Sequence, residues 1–505
     1  MLCVSKMIEL LGKNKRVREV IAVLEPKSFT LNDIKKGARI YFIGIGGISM
    51  NGLARLAKHA GFIVGGSDNH PSERTAILEE QGIKIYYPQV ASNIDDFKPD
   101  YLVKTAAILP KNEEVKRATE LDLQIFDRAE FLGAFTRTYK NVINVSGTHG
   151  KTTTTSMLSM MMIDEGLDPT VHLGADLDIF KGTVRAGTGD LLVSEACEFN
   201  RSFLNFSSTT AIITNIDLDH LDCYPTIEDV IDVFAQFIRL IDDNGYVIVS
   251  GHDKNIAKAL EEAKEYFREA GRTFPHVIAC AADDKVCETT GAVADVIAKN
   301  ITFNNGLPAF DIVIGGGEPI SVQLNVPGSH NIANALNAAA AAYYNGASPE
   351  AIKAALNSFD GADGRYTVKG KYKGCDVVVD YAHHPTAARA TIEAASNMPH
   401  NDILVVFQPL TYYRVKKLMQ DYVDSLKDCK KILFAEIFSD REDQTYGVSS
   451  KDISDEINKC GGDAEFYEDR EELKKRIDEL IKPGDIILIL GPEDIRTLGD
   501  ELCPN

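Results

Sequence analysis

The stretch VSGTHGKTTTT, residues 145–155, decides the fold because it joins a strand, a glycine loop and a helix. The apolar run at residues 142–145 predicts a β-strand, and the threonine-rich stretch that follows is typical of the start of a helix. Glycines in such a loop let backbone N–H groups close around phosphate oxygens, and the helix directs its positive N-terminus at them. The stretch therefore predicts a phosphate loop in an α/β domain with a parallel sheet.

Two side chains of this loop carry chemistry. We expect Lys151 to reach the β- and γ-phosphates of ATP and Thr152 to ligate Mg²⁺. In the common phosphate-loop motif, the spacing from the lysine would put the first glycine at position 145, which is a valine here. The first glycine is Gly147, so the loop is shorter than the common one. The alternative is a glycine and threonine turn with a stray lysine. The residues expected to bind ATP here are Gly147, Thr148, His149, Gly150, Lys151, Thr152 and Thr153.

The chain around this loop divides into three α/β units behind a charged, lysine-rich lead-in at residues 1–38. In each unit short apolar runs alternate with amphipathic stretches of helical length, which is typical of doubly wound parallel sheets. The expected domains are residues 39–140, 141–360 and 361–505. Strands are predicted at residues 40–43, 62–64, 101–103 and 124–126, at 142–145, 191–194, 211–214 and 246–250, and at 376–379, 403–407, 432–434 and 486–490.

Two segments break the alternation. Between residues 292 and 326, glycine and asparagine interrupt alternating strands, which predicts a β-rich insertion in the central unit. The glycine-rich segment 361–374 predicts a hinge between the second and third units. A chain of 505 residues is too long for one hydrophobic core, which agrees with several domains.

Composition and charge exclude several classes of protein. Hydrophobic residues make up 44% and charged residues 25%, as in ordinary globular domains, and no run reaches the roughly 18 apolar residues of a membrane span. Lys6 and Glu9 interrupt the apolar pattern of residues 1–11, which argues against a signal peptide and for a cytoplasmic protein. The net charge of -20 argues against a nucleic-acid surface, and nine scattered cysteines indicate reduced thiols.

A second glycine loop, GIGGISMNG at residues 44–52, follows the first predicted strand. It fails the dinucleotide fingerprint because the third glycine would fall on Ser49, which disfavours an NAD-dependent dehydrogenase. A phosphate at the N-terminus of the following helix is the expected ligand, and Asp68 could reach a ribose hydroxyl or a sugar. The alternative is a purely structural tight turn.

Acidic residues follow two further strands of the central unit. Glu195 lies in SEACEFNRSFL, and Asp217, Asp219 and His220 lie in TNIDLDHLDCY. Because the carboxyl ends of parallel strands meet at one edge of a sheet, we expect these side chains beside the phosphate loop, where oxygen donors suit Mg²⁺. The alternative is that they are solvated loop residues.

Three motifs of the later chain are candidates for substrate contacts. GSHNIANA, residues 328–335, opens a helix, and its two asparagines could bind an adenine edge. The alternative is an ordinary helix N-cap with asparagines on the surface. The paired histidines of DYAHHPTA, residues 380–387, could orient a substrate or transfer protons, and a structural role is an equal alternative. In FQPLTYYR, residues 407–414, Arg414 is a candidate for bidentate contact with a carboxylate or phosphate.

Taken in order, these motifs resemble those of the Mur ligases, the ATP-dependent ligases of peptidoglycan synthesis, and most of all the alanine-adding members of that family. The resemblance spans residues 40–496 and rests on the ordered set of motifs. It implies an N-terminal Rossmann-like domain for a UDP-sugar, a central ATPase domain with a P-loop-like parallel sheet, and a C-terminal Rossmann-like domain that brings the amino acid.

The implied reaction forms an amide bond between the lactyl carboxylate of UDP-N-acetylmuramate and an amino acid, L-alanine in the first instance. ATP activates the carboxylate as an acyl phosphate, and the amino group then displaces phosphate through a tetrahedral intermediate. The loop lysine and Mg²⁺ would neutralise the charge on the transferred phosphoryl group. We expect a monomer or homodimer with no nucleic-acid partner and no membrane insertion.

The resemblance also assigns roles residue by residue. Those expected in catalysis are Lys151, Glu195, His220, Arg365 and His384, and those expected at the metal are Thr152, Glu195 and His220. ATP contacts beyond the loop fall on His330, Asn331, Asn334, Arg365 and Asp380. The UDP-sugar side takes Gly44, Ile45, Gly46, Gly47, Ile48, Ser49, Met50 and Asp68, and the amino-acid side takes His383, His384 and Arg414.

Three positions depart from the family pattern. Leu410 replaces a histidine near the amino-acid pocket, Arg365 stands where two arginines are usual, and GPED at residues 491–494 replaces a small Gly-Ala-Gly-Asp-like turn. These departures leave open a family paralogue with another amino acid or UDP-muramyl substrate, and a non-catalytic protein that binds nucleotide and UDP-sugar. Intact Lys151, Glu195 and His220 argue against the non-catalytic alternative.

Overall fold

The computed structural model describes residues 29–105, 107–439, 442 and 444–504, and it contains three β-sheets with helices packed on them. The three-domain α/β architecture expected from the sequence is confirmed. Of the predicted lead-in, residues 1–28 lie outside the described residues. Leu31–Asp33 forms a short 3-10 helix that places Leu31 in the core of the first domain. Among the described helices, none has both the length and the apolar character needed to cross a bilayer.

The first domain is a parallel sheet with helices in its connections. Its strands are β1 (Arg39–Ile43), β2 (Ile63–Ser67), β3 (Lys84–Tyr86), β4 (Tyr101–Lys104) and β5 (Gln124–Asp127). Its helices are α1 (Ile48–His59), α2 (Glu73–Glu80), α3 (Ser92–Phe97), α4 (Glu113–Glu120) and α5 (Arg128–Thr136). The strand order β3-β2-β1-β4-β5 is Rossmann-like. The order in which the strands are added reverses between β1 and β4, and this switch point opens a crevice where the first glycine loop lies.

The second strand runs further than the sequence predicted, through Gly65 and Gly66. A Cβ at Gly65 would overlap the ring of Phe97, and one at Gly66 would overlap the carbonyl oxygen of Phe42. The two glycines therefore mark close packing inside the sheet, and not the turn that such a pair usually indicates.

The central domain contains a ten-stranded sheet. Its strands are β6 (Asn141–Ser146), β7 (Thr170–Leu177), β8 (Gly182–Arg185), β9 (Leu191–Glu195), β10 (Ser208–Ile213), β11 (Ile241–Ser250), β12 (His276–Ala281), β13 (Val296–Asn304), β14 (Leu307–Ile314) and β15 (Ile320–Gln323). Its helices are α6 (Lys151–Asp164), α7 (Ile227–Ile238), α8 (Lys254–Ala270), α9 (His330–Tyr344) and α10 (Pro349–Ser358). The strand order is β15-β14-β13-β12-β11-β10-β6-β9-β7-β8. Because β13, β14 and β15 are antiparallel and extend one edge, the predicted β-rich insertion continues the central sheet.

Helices cover both faces of this central sheet. On one face α6, α9 and α10 pack around a buried cluster that includes Ile143 and Met157. On the other face α7 and α8 pack around a cluster that is continuous with the core of the first domain through Phe131, Phe203 and Phe234. The strand β6, which leads into the phosphate loop, lies between β10 and β9 in the middle of the sheet, so its end is held on both sides.

The third domain is a six-stranded sheet in the order β16-β17-β21-β18-β19-β20, given by β16 (Thr367–Tyr372), β17 (Cys375–Asp380), β18 (Ile403–Phe407), β19 (Ile432–Ala435), β20 (Ala464–Tyr467) and β21 (Ile486–Leu490). Its helices are α11 (Pro385–Ser396), α12 (Tyr412–Lys417), α13 (Met419–Leu426), α14 (Ser450–Lys459), α15 (Arg470–Leu480) and α16 (Glu493–Leu502). The predicted hinge at residues 361–374 is too long, because β16 pairs antiparallel with β17 and leaves residues 361–366 as the linker. Gly370, with a φ of 146°, accompanies a register shift inside that strand.

Replacement of Gly65 by alanine tests the tight packing of the first sheet. We expect Gly65→Ala to lower the free energy of unfolding by about 1–3 kcal/mol, because the new methyl group would overlap the Phe97 ring. Urea unfolding followed by circular dichroism measures the change. Ile63→Ala on the same strand is the control, since Ile63 is 48% exposed. An unchanged unfolding midpoint for Gly65→Ala would contradict this packing.

Candidate active site

The phosphate loop is fastened to the residues that follow β10. The Thr148 amide donates to the Asn215 carbonyl oxygen at 3.0 Å, and the His149 amide donates to the Asn215 side chain at 2.8 Å. Gly147 has a φ of 133°, and a Cβ there would collide with Thr214 Oγ1. Glycine is therefore required at this position. The first amides of α6 have no intrahelical partner and are available to an anion.

Lys151 occupies the position expected of a phosphate-binding lysine, and a carboxylate holds it there. Its Nζ donates to the carbonyl oxygens of Gly147 at 2.5 Å and Thr148 at 3.1 Å, and it lies 3.0 Å from Glu198 Oε2. Burial alone would lower the pKa of Lys151, but Glu198, together with Cys197 and Glu195, outweighs burial, and the pKa stands above its ordinary value. The sequence prediction omitted Glu198, although it stands in the same motif as Glu195.

Thr152 and Glu195 form the oxygen-rich pair expected of a metal site. Thr152 Oγ1 donates to Glu195 Oε2 at 3.0 Å, and the same carboxylate oxygen accepts the Gly174 amide at 2.8 Å. A side chain at position 174 would crowd the carboxylate, since a Cβ there would lie 2.6 Å from Glu195 Oε1. Hydroxyl and carboxylate oxygens in this arrangement suit a hard divalent cation.

His220, the third residue expected at the metal, faces Glu198. Its Nε2 lies 3.7 Å from Glu198 Oε1, and its Nδ1 is buried without a hydrogen-bond partner among the described residues. Burial lowers the pKa of His220, so the ring is neutral near pH 7 and keeps a lone pair. The oxygens of Thr152 and Glu195 therefore fit a divalent cation, and His220 offers a ring nitrogen on the side of Glu198.

The two asparagines expected to bind adenine line the cleft and also fix α9 in place beside the phosphate loop. Asn331 Nδ2 donates to the Pro327 carbonyl oxygen at 2.7 Å, and Asn334 Nδ2 donates to Asn331 Oδ1 at 2.9 Å. Asn334 Oδ1 accepts from Thr154 Oγ1 at 3.3 Å. These amide groups are committed to internal hydrogen bonds, whereas His330 is exposed at the start of the helix.

Arg365 reaches from the linker to the phosphate loop. Its Nη2 donates to Thr152 Oγ1 at 3.3 Å, and its guanidinium lies 5.1 Å from the ring centroid of Tyr381. Asp380 shapes the linker by accepting the Tyr366 amide at 2.8 Å. The single arginine of the linker thus places a second cation beside the loop, and its contact with ATP stays a prediction.

Arg414, expected on the amino-acid side, is committed to an ion pair across the domain interface. Its Nη2 and Nε lie 2.6 and 2.9 Å from Asp219 Oδ1, and both side chains are almost fully buried. Burial would raise the pKa of Asp219, yet Arg414 keeps it well below its ordinary range. The guanidinium of Arg414 donates two hydrogen bonds to Asp219, so in this conformation it is not available for the expected contact with a substrate carboxylate.

A second set of polar contacts joins the same two domains. Asp217 Oδ2 accepts from Thr386 Oγ1 at 2.8 Å and lies 3.2 Å from His149 Nε2. His384 Nε2 lies 3.2 Å from the Leu218 carbonyl oxygen, and its Nδ1 accepts the Thr386 amide at 3.3 Å. Burial lowers the pKa of His384 to about 4, so its ring is neutral. His149, Asp217 and His384 hold their ligand atoms within 4.8 Å of one another, and their hydrogen bonds make them a contact between domains.

The first glycine loop turns several of its expected ligand residues inward. Ile45 and Met50 are buried in the core of the first domain, so a ligand could contact them through the backbone alone. Asp68 Oδ2 accepts the Gly46 amide at 2.8 Å. In this structure Asp68 therefore fixes the loop, and its expected hydrogen bond to a ribose or sugar would have to compete with that contact.

The three domains enclose one cleft of about 1000 Å³. The predicted residues that line it are Ile48, Thr148, His149, Gly150, Lys151, Thr152, Thr153, Glu195, Asp217, Asp219, His220, His330, Asn331, Asn334, Arg365, Asp380, His383, His384, Leu410 and Arg414. The sequence prediction omitted other lining residues, among them Tyr381 and Arg496; the Arg496 guanidinium lies 5.4 Å from the Tyr381 ring centroid. The ATP side and the amino-acid side of the prediction thus meet in one place.

Comparison with protein families covers all three domains. The model described as Mur ligase family, catalytic domain matches residues 39–140, and that described as Mur ligase middle domain matches residues 145–342. The model described as Mur ligase, glutamate ligase domain matches residues 364–492. The chain belongs to the Mur ligase family. This Mur ligase is therefore an ATP-dependent enzyme that forms amide bonds.

Individual relatives resemble this Mur ligase over nearly its full length. A UDP-N-acetylmuramate–L-alanine ligase from Clostridium acetobutylicum is 40% identical, covering 94% of this chain and 99% of the relative. One of the same name from Acetivibrio thermocellus is 38% identical, with 95% and 97% covered. The crystal structure of a UDP-N-acetylmuramate-alanine ligase from Thermotoga maritima superposes with a TM-score of 0.74 at 26% identity, covering 92% of this chain and 98% of that one. A murein peptide ligase from Psychrobacter arcticus, with a TM-score of 0.66, 24% identity and coverage of 92% and 98%, shares the fold.

The buried ion pair between the domains predicts strongly coupled substitutions. We expect Asp219→Leu alone to lower the free energy of unfolding by about 3–5 kcal/mol, because it leaves the buried Arg414 charge unpaired. Addition of Arg414→Met should recover part of that loss, since no lone charge is then buried. Denaturant unfolding of both single variants and the double variant measures the coupling. A double variant whose loss equals the sum of the two single losses would show that the pair is not coupled.

Proposed function

We propose that this Mur ligase joins L-alanine to the lactyl carboxylate of UDP-N-acetylmuramate, with cleavage of ATP to ADP and phosphate, and so makes a peptidoglycan precursor. The observation that carries the proposal is the meeting of Lys151, Thr152 and Arg365 at one end of a cleft shared by three domains. Relatives that are 38% and 40% identical over nearly the whole chain bear the name of this reaction, which supports the choice of substrates.

The first step would transfer the γ-phosphate of ATP to the lactyl carboxylate. A carboxylate resists attack by an amine because it is anionic and has no competent leaving group, and conversion to an acyl phosphate removes both obstacles. Lys151 and Arg365 would bring positive charge to the transferred phosphoryl group, while the first amides of α6 hold phosphate oxygens. Thr152 and Glu195 would hold Mg²⁺, which supplies further charge neutralisation when bound.

In the second step the amino group of alanine would attack the acyl carbon. The C–N bond forms first, giving a tetrahedral intermediate, and the C–O bond to phosphate then breaks. The two ring nitrogens of His384 are occupied at the domain interface. We therefore assign His384 to positioning of the third domain, and the released phosphate to accepting the proton that the amine loses.

Docking of the third domain would protect the acyl phosphate from water. The contacts of Asp219 with Arg414 and of Asp217 with Thr386 hold this domain over the phosphate loop. Exclusion of water matters here because an acyl phosphate is hydrolysed where water reaches it. Leu410 lines the cleft at this interface and offers an apolar wall against which the methyl group of alanine would pack.

One assay tests the choice of substrates. The purified protein receives ATP, Mg²⁺ and UDP-N-acetylmuramate, and amino acids are then added one at a time while phosphate release is measured. We expect release with L-alanine, together with a product whose mass is that of the alanyl adduct. If phosphate were released only with a different amino acid, that amino acid would replace alanine in the proposal. Binding of ATP and UDP-sugar without turnover would overturn it.

Lys151 tests the assignment of the ATP end. We expect Lys151→Ala to lower kcat by at least about 100-fold, because the transferred phosphoryl group would lose a charge aimed at it. The variant should still bind UDP-N-acetylmuramate, as measured by calorimetry. The matched control is Lys140→Ala, since Lys140 precedes β6 with an 80% exposed side chain. A normal rate in Lys151→Ala would show that the loop has been wrongly assigned.

A further inference from the structure

An arginine without an acidic partner lies between the first glycine loop and the central domain. Arg128 is the first residue of α5, and its Nη1 donates to Ser49 Oγ at 2.8 Å. Within the part of the chain that the structure describes, Ser49 is the hydrogen-bond partner of this guanidinium, and no carboxylate is among the groups that act on its pKa. Arg128 is partly buried, so its charge lacks both full hydration and a protein anion.

Comparison with Arg414 shows what Arg128 lacks. Both guanidinium groups are removed from bulk water, which by itself lowers the pKa of each. Asp219 reverses this effect at Arg414, whose pKa is raised, whereas the pKa of Arg128 stays below its ordinary value. A cation in this state is stabilised by binding an anion from outside the chain.

The third member of the group comes from the central domain. His172 on β7 is 4% exposed, and its Nε2 lies 3.3 Å from Ser49 Oγ. Burial, followed by the charge of Arg128, lowers the pKa of His172 to about 3, so its ring is neutral. Its Nδ1 has no hydrogen-bond partner among the described residues. His172 therefore orients Ser49 without offsetting the charge of Arg128.

The position of this group lies between the two phosphate-binding regions. Ser49 stands in the first turn of α1, directly after the glycine loop, so the positive helix terminus adds to the charge of Arg128. Cys197, which interacts electrostatically with both Arg128 and Lys151, lines the cleft with Lys151, and so does Ile48 next to Ser49. An anion on Arg128 would thus sit between the loop expected to hold the UDP diphosphate and the lysine expected to hold the γ-phosphate.

We propose that Arg128, oriented by Ser49 and His172, binds the lactyl carboxylate of the UDP-sugar and presents it to the phosphate held by Lys151. This inference rests on the proposed function, because it requires an acceptor whose carboxylate receives the phosphoryl group. Arg128 is suited to the task because a guanidinium donates parallel hydrogen bonds to the two oxygens of a carboxylate.

A pair of ligands that differ in this one group tests the proposal. UDP-N-acetylmuramate carries the lactyl carboxylate, and UDP-N-acetylglucosamine has a hydroxyl in its place. We expect Arg128→Gln to raise the Kd for UDP-N-acetylmuramate, measured by calorimetry, by about 10-fold or more, because one charged hydrogen bond is lost. The Kd for UDP-N-acetylglucosamine should change by no more than about 2-fold. Arg128→Lys should fall between, since it keeps the charge without the planar fork.

Kinetic and structural controls separate positioning from folding. The KM for UDP-N-acetylmuramate should rise in Arg128→Gln while the KM for ATP stays constant. Arg117→Gln, on the exposed surface of α4, is the matched control and should change neither constant. Thermal unfolding of each variant shows whether the first domain is intact, and binding of UDP-N-acetylglucosamine provides a second check on the same protein.

Two outcomes would overturn the assignment. Equal weakening of both ligands in Arg128→Gln would place the arginine on the diphosphate or nucleotide, and unchanged binding of both would remove it from the site. The wild-type protein separately tests the proposed function, because failure of UDP-N-acetylmuramate to support phosphate release would reject that acceptor before any variant is compared.

Discussion

The assembled site depends on the buried ion pair between Asp219 and Arg414. These side chains belong to different domains, and their contact holds the third domain over the phosphate loop. Removal of two charges from water is costly, and their attraction offsets that cost only in good geometry. Such a pair contributes less to stability than an apolar contact of the same size, but it tolerates little displacement. It therefore fixes where the third domain sits, and with it Arg365 beside Thr152.

The two domain interfaces differ in chemistry, and this difference decides which of them can open. The first and central domains share an apolar core through Phe131 and Phe203, and α1 approaches so closely that a Cβ at Gly52 would lie 2.6 Å from Val184. Separation there would expose apolar surface to water. The third domain takes Leu218 and Leu221 of the central domain into its own core cluster. It is also held by hydrogen bonds and the ion pair, which water can replace at modest net cost. Substrate entry and product release are therefore expected at the third domain.

The sequence predicted those features that depend on neighbours in the chain. The phosphate loop was predictable because strand, glycines and helix follow one another locally, and Lys151 donates hydrogen bonds to carbonyl oxygens of the same loop. Features that depend on distant partners were not. The glycine pair in the sequence did not show whether Gly65 lies in a turn or in a packed strand, because the residue that requires a glycine there is Phe97, which is distant in the chain. The assignment of Arg414 to substrate missed Asp219, whose carboxylate is 195 residues away in the chain.

Protonation makes the docked third domain sensitive to acid but not to moderate alkali. Burial would raise the pKa values of Asp217 and Asp219, but their surroundings together keep both below the ordinary range, chiefly through His149, aided by Thr386, at Asp217 and through Arg414 at Asp219. Carboxylates of this kind contribute stability above their ordinary pKa and lose it as the pH falls through the depressed value. The pKa of His384 falls from 6.5 to about 4 on burial, so its neutral ring stabilises the interface above pH 6.5 and that contribution declines between these two values. Acid therefore first weakens the interface at His384 and reaches the carboxylates later, while near neutral pH all three groups keep the protonation states that the docked form requires.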